Sequence, residues 1–252
     1  MQISGKVVIV TGAASGLGKG AAELLAAQGA QVVVADTQED RGLEVAHAID
    51  GAFVRCDVAH ETDAARTVRL ACSMGKLMGL VNCAGIAPAE RTLGKAGPHR
   101  LDAFSRALNV NLLGSFNMIR LAADAMSRNA PEATGERGCM ISTASIAAYE
   151  GQVGQAAYAA SKGGIVGMTL PIARDLGRLG IRNMAVAPGL FGTPMLLAQP
   201  AQVREALAAS VPFPARLGTP RDFARLVLHI FENEMLNGEV IRLDGAVRLP
   251  GR

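Results

Sequence analysis

Residues 6–18 read K-V-V-I-V-T-G-A-A-S-G-L-G, and the reading of this stretch decides the fold. A short β-branched run passes straight into a glycine cluster and then into an alanine-rich helical pattern. The glycines stand at Gly12, Gly16 and Gly18, a G-x-x-x-G-x-G spacing. Glycine permits a tight turn and close backbone approach, and the helix start beyond it offers free N–H groups to a pyrophosphate. Ser15 adds a hydroxyl. Gly12, Ser15, Gly16 and Leu17 are therefore expected to line a dinucleotide site. A glycine cluster alone is a weak signal; between a first strand and a first helix it reads as the opening of a βαβ unit.

The same alternation continues outward. Strand patterns recur at 31–35, 52–56, 77–82, 138–143, 181–187 and 239–243, and helical patterns occupy 16–29, 61–74, 101–127, 155–178 and 220–232. Strands alternating with longer helices predict an α/β chain with a doubly wound parallel sheet of about seven strands, a single-domain Rossmann fold. No linker, low-complexity stretch or short repeat divides residues 1–252, so one domain is expected. Two segments break the rhythm. Residues 86–100 form a polar insertion carrying Arg91, Lys95 and Arg100, and residues 190–217 are largely apolar, with Leu196, Leu197 and Phe213. Both follow predicted strands, at the sheet edge where doubly wound folds bind ligands.

Composition agrees. Half of the chain is hydrophobic, with 29 glycines and no tryptophan, which suits parallel strands buried beneath helices. A net charge of +3 without long basic runs does not point to nucleic acid, yet would not repel an anionic substrate. Cys56, Cys72, Cys83 and Cys139 lack C-x-x-C spacing, and His47, His60, His99 and His229 form no H-E-x-x-H pair. Reduced thiols and no metal are expected. No apolar run reaches spanning length and the first strand begins almost at once, so a cytoplasmic protein with no membrane partner is expected.

Asp36 ends the second strand, 24 residues after Gly12. A carboxylate there can accept both hydroxyls of an adenosine ribose and repel a 2′-phosphate, which favours NAD over NADP. The other reading makes Asp36 a turn or N-cap residue, and Arg41 stands close enough to bear on the choice.

Residues 155–164, Q-A-A-Y-A-A-S-K-G-G, place Tyr158 and Lys162 four apart among small residues. On a helix that spacing puts both on one face. Bringing a tyrosine from about 10 to ~7 takes roughly 4 kcal/mol of selective phenolate stabilisation. One positive charge at ~4 Å supplies about that much at an effective dielectric near 20. Lys162 and an oxidised nicotinamide together could meet the requirement, whereas burial alone acts in the opposite direction. The surrounding alanines and glycines leave room for a flat ring and a substrate; close helix–helix packing is the other reading, and both can hold.

With the phosphate loop, Asp36 and Y-A-A-S-K together, the chain resembles the short-chain dehydrogenase/reductase family over essentially its whole length. T-G-A-A-S-G-L-G resembles its cofactor loop, and Asp57-Val58 the pair that meets adenine. Asn82-Cys83-Ala84-Gly85 resembles the N-N-A-G segment, with cysteine for the second asparagine, which implies that Cys83 and Gly85 border the cofactor. Asn111 resembles the helix asparagine of the active site, and Ser145, Tyr158 and Lys162 the catalytic serine, tyrosine and lysine. The family's serine-to-tyrosine spacing selects Ser145 over Ser142. Pro188-Gly189, Phe191 and Thr193 fall in the segment similar to that beside the nicotinamide. Longer strings, including 141–176 and the A-P-G-L-F-G-T-P-M-L of 187–196, resemble the family's type II 3-hydroxyacyl-CoA dehydrogenase subgroup, also described as 17β-hydroxysteroid dehydrogenase type 10.

The resemblance implies a mechanism. Ser145 hydrogen-bonds the substrate oxygen, Tyr158 takes the hydroxyl proton while hydride passes to NAD, Lys162 lowers the tyrosine pKa and binds the nicotinamide ribose, and Asn111 holds a water leading to Lys162. Gln155 is a plausible substrate contact that could equally cap its helix. Segment 190–217 reads as a lid over an acyl chain or steroid, or as an interface-packing helix pair. Arg91, Lys95 and Arg100 read as partners for coenzyme A phosphates or as a solvated loop. The leading expectation is an NAD-dependent dehydrogenase of 3-hydroxyacyl-CoA in fatty acid metabolism, a homotetramer by resemblance. Hydroxysteroid or other secondary-alcohol dehydrogenases and 3-oxoacyl-carrier-protein reductases are alternatives within enzymes. A non-catalytic NAD-binding scaffold is the alternative of a different class.

Overall fold

Parallel strands covered on both faces need apolar residues at successive positions, and this chain supplies them. A computed structural model describes residues 1–251 apart from the side chain of Met195. The first half runs β1 (Val7–Thr11), α1 (Gly16–Ala27), β2 (Gln31–Asp36), α2 (Glu39–Ala48), β3 (Ala52–Arg55), α3 (Glu61–Met74) and β4 (Leu77–Asn82). A small hairpin, β5 (Leu93–Gly94) with β6 (Gly97–Pro98), precedes α4 (Leu101–Leu108), a π turn at Asn109–Leu113 and α5 (Gly114–Ser127). Then come β7 (Gly138–Thr143), α6 (Ala156–Gly177), β8 (Ile181–Pro188), α7 (Pro194–Leu197), α8 (Ala201–Ala209), α9 (Pro220–Glu232) and β9 (Val240–Leu243).

Seven strands form one sheet in the order β3-β2-β1-β4-β7-β8-β9, every pair parallel. In β1, Val8 and Val10 join one core with α1, α2 and α9. Val7 and Ile9 turn to the other, with α3, α5 and α6. This is the two-residue period of a strand applied to a three-layer sandwich. Each fully buried Val or Ile contributes about 1.5–3 kcal/mol, so the centre of the sheet is the rigid part of the molecule. Strand order reverses between β1 and β4, so the crevice beyond their carboxyl ends is the place where such folds take a ligand.

The strand runs lie within one or two residues of expectation. The expected helix at 101–127 keeps those bounds, as α4, the π turn and α5 in direct succession. The hydrophobic rhythm persists across a one-residue insertion, which is why the pattern reads as continuous. Helix α2 was not singled out among the helical stretches. The insertion at 86–100 is ordered by the hairpin and by Glu90, whose N–H donates to the Gly154 carbonyl at 2.9 Å. Segment 190–217 holds two helices, with Leu197, Val203 and Phe213 exposed. No helix among the described residues is long and apolar enough to cross a membrane.

Candidate active site

The switch point is built from three strand ends. Gly12 leaves β1 at φ +63°, and a Cβ there would stand 2.6 Å from the Ala84 nitrogen and 2.8 Å from the Cys83 carbonyl carbon. Only glycine lets the phosphate loop lie this close to the end of β4. Thr11 fastens the two together: its carbonyl and its Oγ1 each accept the Cys83 N–H at 3.2 Å, and Oγ1 also accepts the Ala84 N–H. Ser15 takes the N-cap position of α1, yet its side chain makes no capping bond, so the hydroxyl and the helix N–H groups remain available to an anion. Gly16, at φ +56°, faces Thr193 and Pro194, whose side chains would lie 3.4–3.8 Å from a Cβ. Leu17 follows it in the first turn of α1 and packs partly on the core.

Asp36 is 7 % exposed at the end of β2. Its two oxygens accept the N–H groups of Ala14 and Gln38, each at 2.9 Å. The carboxylate is thus held against the phosphate loop; both expected roles, turn residue and acceptor beside the loop, are present in one geometry. Arg41 is turned to Gln38, donating to its Oε1 at 3.1 Å. Asp57 closes a turn by accepting the Ala59 N–H at 3.0 Å, while Val58 is buried and its carbonyl accepts from Asn117 at 2.9 Å. This set of uncapped helix N–H groups, glycine floor and strand-end carboxylate fits a nicotinamide dinucleotide.

Across the crevice, Tyr158 and Lys162 rise from α6 and Ser145 from the loop after β7. The Ser145 oxygen accepts the Ala147 N–H at 3.1 Å, and its hydroxyl is a hydrogen-bond partner of the Tyr158 phenol. Burial pushes the Tyr158 phenol above its ordinary value, and the facing Ser145 hydroxyl draws it partly back. Lys162 is 5 % exposed, and burial pushes its ammonium down to about 8. It lies 5.8 Å from the Tyr158 ring centroid and donates to the Thr143 carbonyl at 2.5 Å. At the phenol, desolvation therefore outweighs the Ser145 hydroxyl.

Asn111 sits in the π turn and is fully buried. Its amide donates to the Ile86 carbonyl and to Ser161 Oγ, both at 2.9 Å, and its Oδ1 accepts the Ile86 N–H at 2.8 Å. Both amide protons are spent on the protein, so a relay to Lys162 through this side chain is restricted to Oδ1. Gly85 keeps the space beside it: a Cβ there would stand 3.2 Å from Asn111 Oδ1 and 3.8 Å from Lys162 Nζ. Three residues here escaped the sequence reading. Ser161 accepts from Asn111 and donates to the Tyr158 carbonyl at 2.7 Å; Thr11 and Thr143 act as described. Two of the three offer the site a main-chain carbonyl or a local bond that no spacing reveals.

Other expected residues take different parts. Cys83 lies at the site, but its sulfur accepts from Thr143 Oγ1 at 3.4 Å and burial pushes its thiol up to about 11, so it is an inert neutral group. The Phe191 side chain is buried against Gly218 in the core. Gln155 does not cap α6; its Oε1 accepts the Gln152 N–H at 3.0 Å. It lines an open cavity of about 590 Å³ with Arg91, Leu93 and Val153. Arg100 is tied to Glu90 at 3.3 Å, which leaves Arg91 and Lys95 as the insertion's cations outside ion pairs among the described residues. No group of three or more His, Cys, Asp or Glu converges among these residues.

Comparison with known proteins agrees with this geometry. The family model described as short chain dehydrogenase matches residues 6–204. The chain is 54 % identical over 98 % of its length to 3-hydroxyacyl-CoA dehydrogenase type-2 of Bos taurus, covering 97 % of that protein. With the protein of the same name from Homo sapiens it shares 53 % identity over the same proportions. The crystal structure of 3-hydroxyacyl-CoA dehydrogenase type-2 from Mycobacterium avium superimposes with a TM-score of 0.94 at 37 % identity, covering 98 % of this chain and 97 % of that one. Phosphate loop, half-buried tyrosine and buried lysine, and sequence likeness over nearly the full length lead to one assignment: the chain belongs to the short-chain dehydrogenase family, oxidoreductases that work with a nicotinamide cofactor.

Proposed function

We propose that this chain is an NAD-dependent dehydrogenase interconverting (S)-3-hydroxyacyl-CoA and 3-oxoacyl-CoA. The observation that carries the reading is the Ser145 hydroxyl facing the half-buried Tyr158 phenol, with Lys162 beside it, in a chain 54 % identical to a protein named for that reaction. Asp36 supports NAD over NADP, because a 2′-phosphate would approach a carboxylate already fixed by two N–H groups, with Arg41 engaged by Gln38.

Ser145 donates its hydroxyl hydrogen to the substrate oxygen when substrate binds and holds it against the phenol. Tyr158 takes the alcohol proton in oxidation and returns it in reduction. Lys162 supplies a cation beneath the phenol and a donor for the nicotinamide ribose. Asn111 holds the π turn against Ile86 and, through Ser161, the turn of α6 that carries Tyr158. The nicotinamide, when bound, supplies the two-electron redox partner for the substrate carbon. Arg91, which lines the same cavity as Gln155, and Lys95 in the same insertion suit the anionic end of an acyl-CoA, and the 190–217 segment suits its apolar chain.

Four unpaired cysteines support a cytoplasmic setting, with fatty acid metabolism as the context. Exposed Phe116 and Leu170 on α5 and α6, beside Gly163 and Gly167 with open space above them, support assembly as a homotetramer. The test is loss of NADH absorbance with acetoacetyl-CoA, repeated with NADPH, a steroid ketone and an acyl-carrier-protein substrate. Turnover with acetoacetyl-CoA and NADH is expected. Preference for NADPH and the carrier protein would instead favour a reductase, and cofactor binding without turnover on any ketone would favour a scaffold.

A further inference from the structure

A lysine carries its charge on a flexible four-carbon stem with freely rotating donors, so a buried catalytic lysine must be held by something. Here the holder is the Thr143 carbonyl at the carboxyl end of β7, which accepts from Lys162 Nζ at 2.5 Å. Thr143 is itself tied sideways. Its Oγ1 donates to Cys83 Sγ at 3.4 Å, Cys83 is tied by its N–H to Thr11, and Gly12 lies directly against Cys83 and Ala84. A continuous line thus crosses the ends of β7, β4 and β1, from the lysine ammonium to the floor of the phosphate loop.

We propose that Thr143, through its hydroxyl bond to Cys83, is a positioning residue that sets Lys162 relative to the phosphate loop and so governs how the dinucleotide's ribose and pyrophosphate are engaged together. The inference rests on the dinucleotide reading above and extends it to a residue in no motif. Its logic is one of register. Strand pairing of Thr143 with Val186 fixes the residue along the sheet but leaves the last carbonyl of the strand free to tilt. The side-chain bond to β4 removes that freedom. The titratable groups facing Lys162 are Tyr158 on its own helix and Cys83 beyond the end of β4, and Cys83 is neutral. The carbonyl is therefore the group that favours the charged lysine. Loosening it lets burial act unopposed, so the lysine loses its proton at lower pH.

The experiment compares wild type with Thr143→Val, Thr143→Ser, Cys83→Ala and the Thr143→Val/Cys83→Ala double variant. It measures NADH dissociation constants by fluorescence across pH, with KM and kcat alongside. Thr143→Val and Cys83→Ala should each weaken NADH about 3- to 10-fold, the worth of one hydrogen bond, and move the alkaline limb of binding to lower pH. Thr143→Ser should restore both, and the double variant should be no worse than either single one. Should Thr143→Val fail to fold, Cys83→Ala carries the same expectation. An unmoved alkaline limb and wild-type affinity in the variants, with only thermal stability lowered, would overturn the proposal and leave the dehydrogenase reading standing. Wild type that binds NADH but turns over no ketone would sink that reading instead, and the binding measurements would still decide this one.

Discussion

Replacing Lys162 by methionine should make the protein more stable and less useful, and the size of the effect follows from burial. The ammonium is 5 % exposed, and its pKa falls from 10.5 to about 8 on folding. At pH values between these two the unfolded chain binds more protons than the folded one, so wild-type stability rises with pH across the window. Below about pH 8 the penalty is complete. A depression of about 2.5 units corresponds to about 3.4 kcal/mol. Methionine removes that penalty but leaves the Thr143 carbonyl without its donor, which costs about 1–3 kcal/mol independent of pH. The net gain at neutral pH is therefore about 0.4–2.4 kcal/mol. The sharper observable is the difference between the two proteins. Urea midpoints converted to free energy should show the variant's advantage shrinking by about 3 kcal/mol between about pH 7.5 and pH 10.5. A gap that stays constant across that range would refute the reasoning, since the lysine would then titrate alike folded and unfolded. Weakened NADH binding in the same variant would display the exchange of stability for function that buried active-site charges impose.

Tyr158→Phe should keep NADH affinity within about 3-fold while turnover falls by about 10²–10⁴, the range of a lost proton donor; near-normal turnover in a stopped assay would remove the phenol from its role. Asp36→Asn keeps the side chain's shape and lifts the charge, so the preference for NADH over NADPH should fall by about 10-fold or more, as one unit charge at ~5 Å is worth roughly 3 kcal/mol at a dielectric near 20. A ratio of dissociation constants unchanged by this variant would show that Asp36 does not read the ribose. Arg91→Glu with Lys95→Glu should raise KM for acetoacetyl-CoA about 10-fold and leave a ketone without CoA unaffected, whereas Arg100→Glu, already paired with Glu90, should act mainly on the loop; equal effects on both ketones would count against a coenzyme A contact.

Much of the architecture was legible because it depends on local pattern. Apolar strands, glycines at Gly12 and Gly16, and the Tyr158–Lys162 step all declare themselves over a few residues. Partnerships between distant residues do not. Arg100 looks like a free cation until the hairpin brings Glu90 to it. Asn111 looks like a water ligand until Ile86 and Ser161 occupy its amide. Thr143 carries no signal at all, because its contribution to Lys162 is a carbonyl that every residue has. Phe191 was placed by motif at the cofactor, and only the depth of the core shows that its ring points the other way.

The π turn at Asn109–Leu113 makes chain length itself a requirement at this spot. It holds one residue more than a regular helix would accommodate. Deleting a single residue there would let the wide turn close into regular helix, with α4 and α5 kept in register on either side. Substitution can leave such a helix intact, but a one-residue deletion would heal the backbone and carry the asparagine away from the loop it clasps. Relatives that keep the site should therefore vary in side chains across this turn far more readily than in residue number.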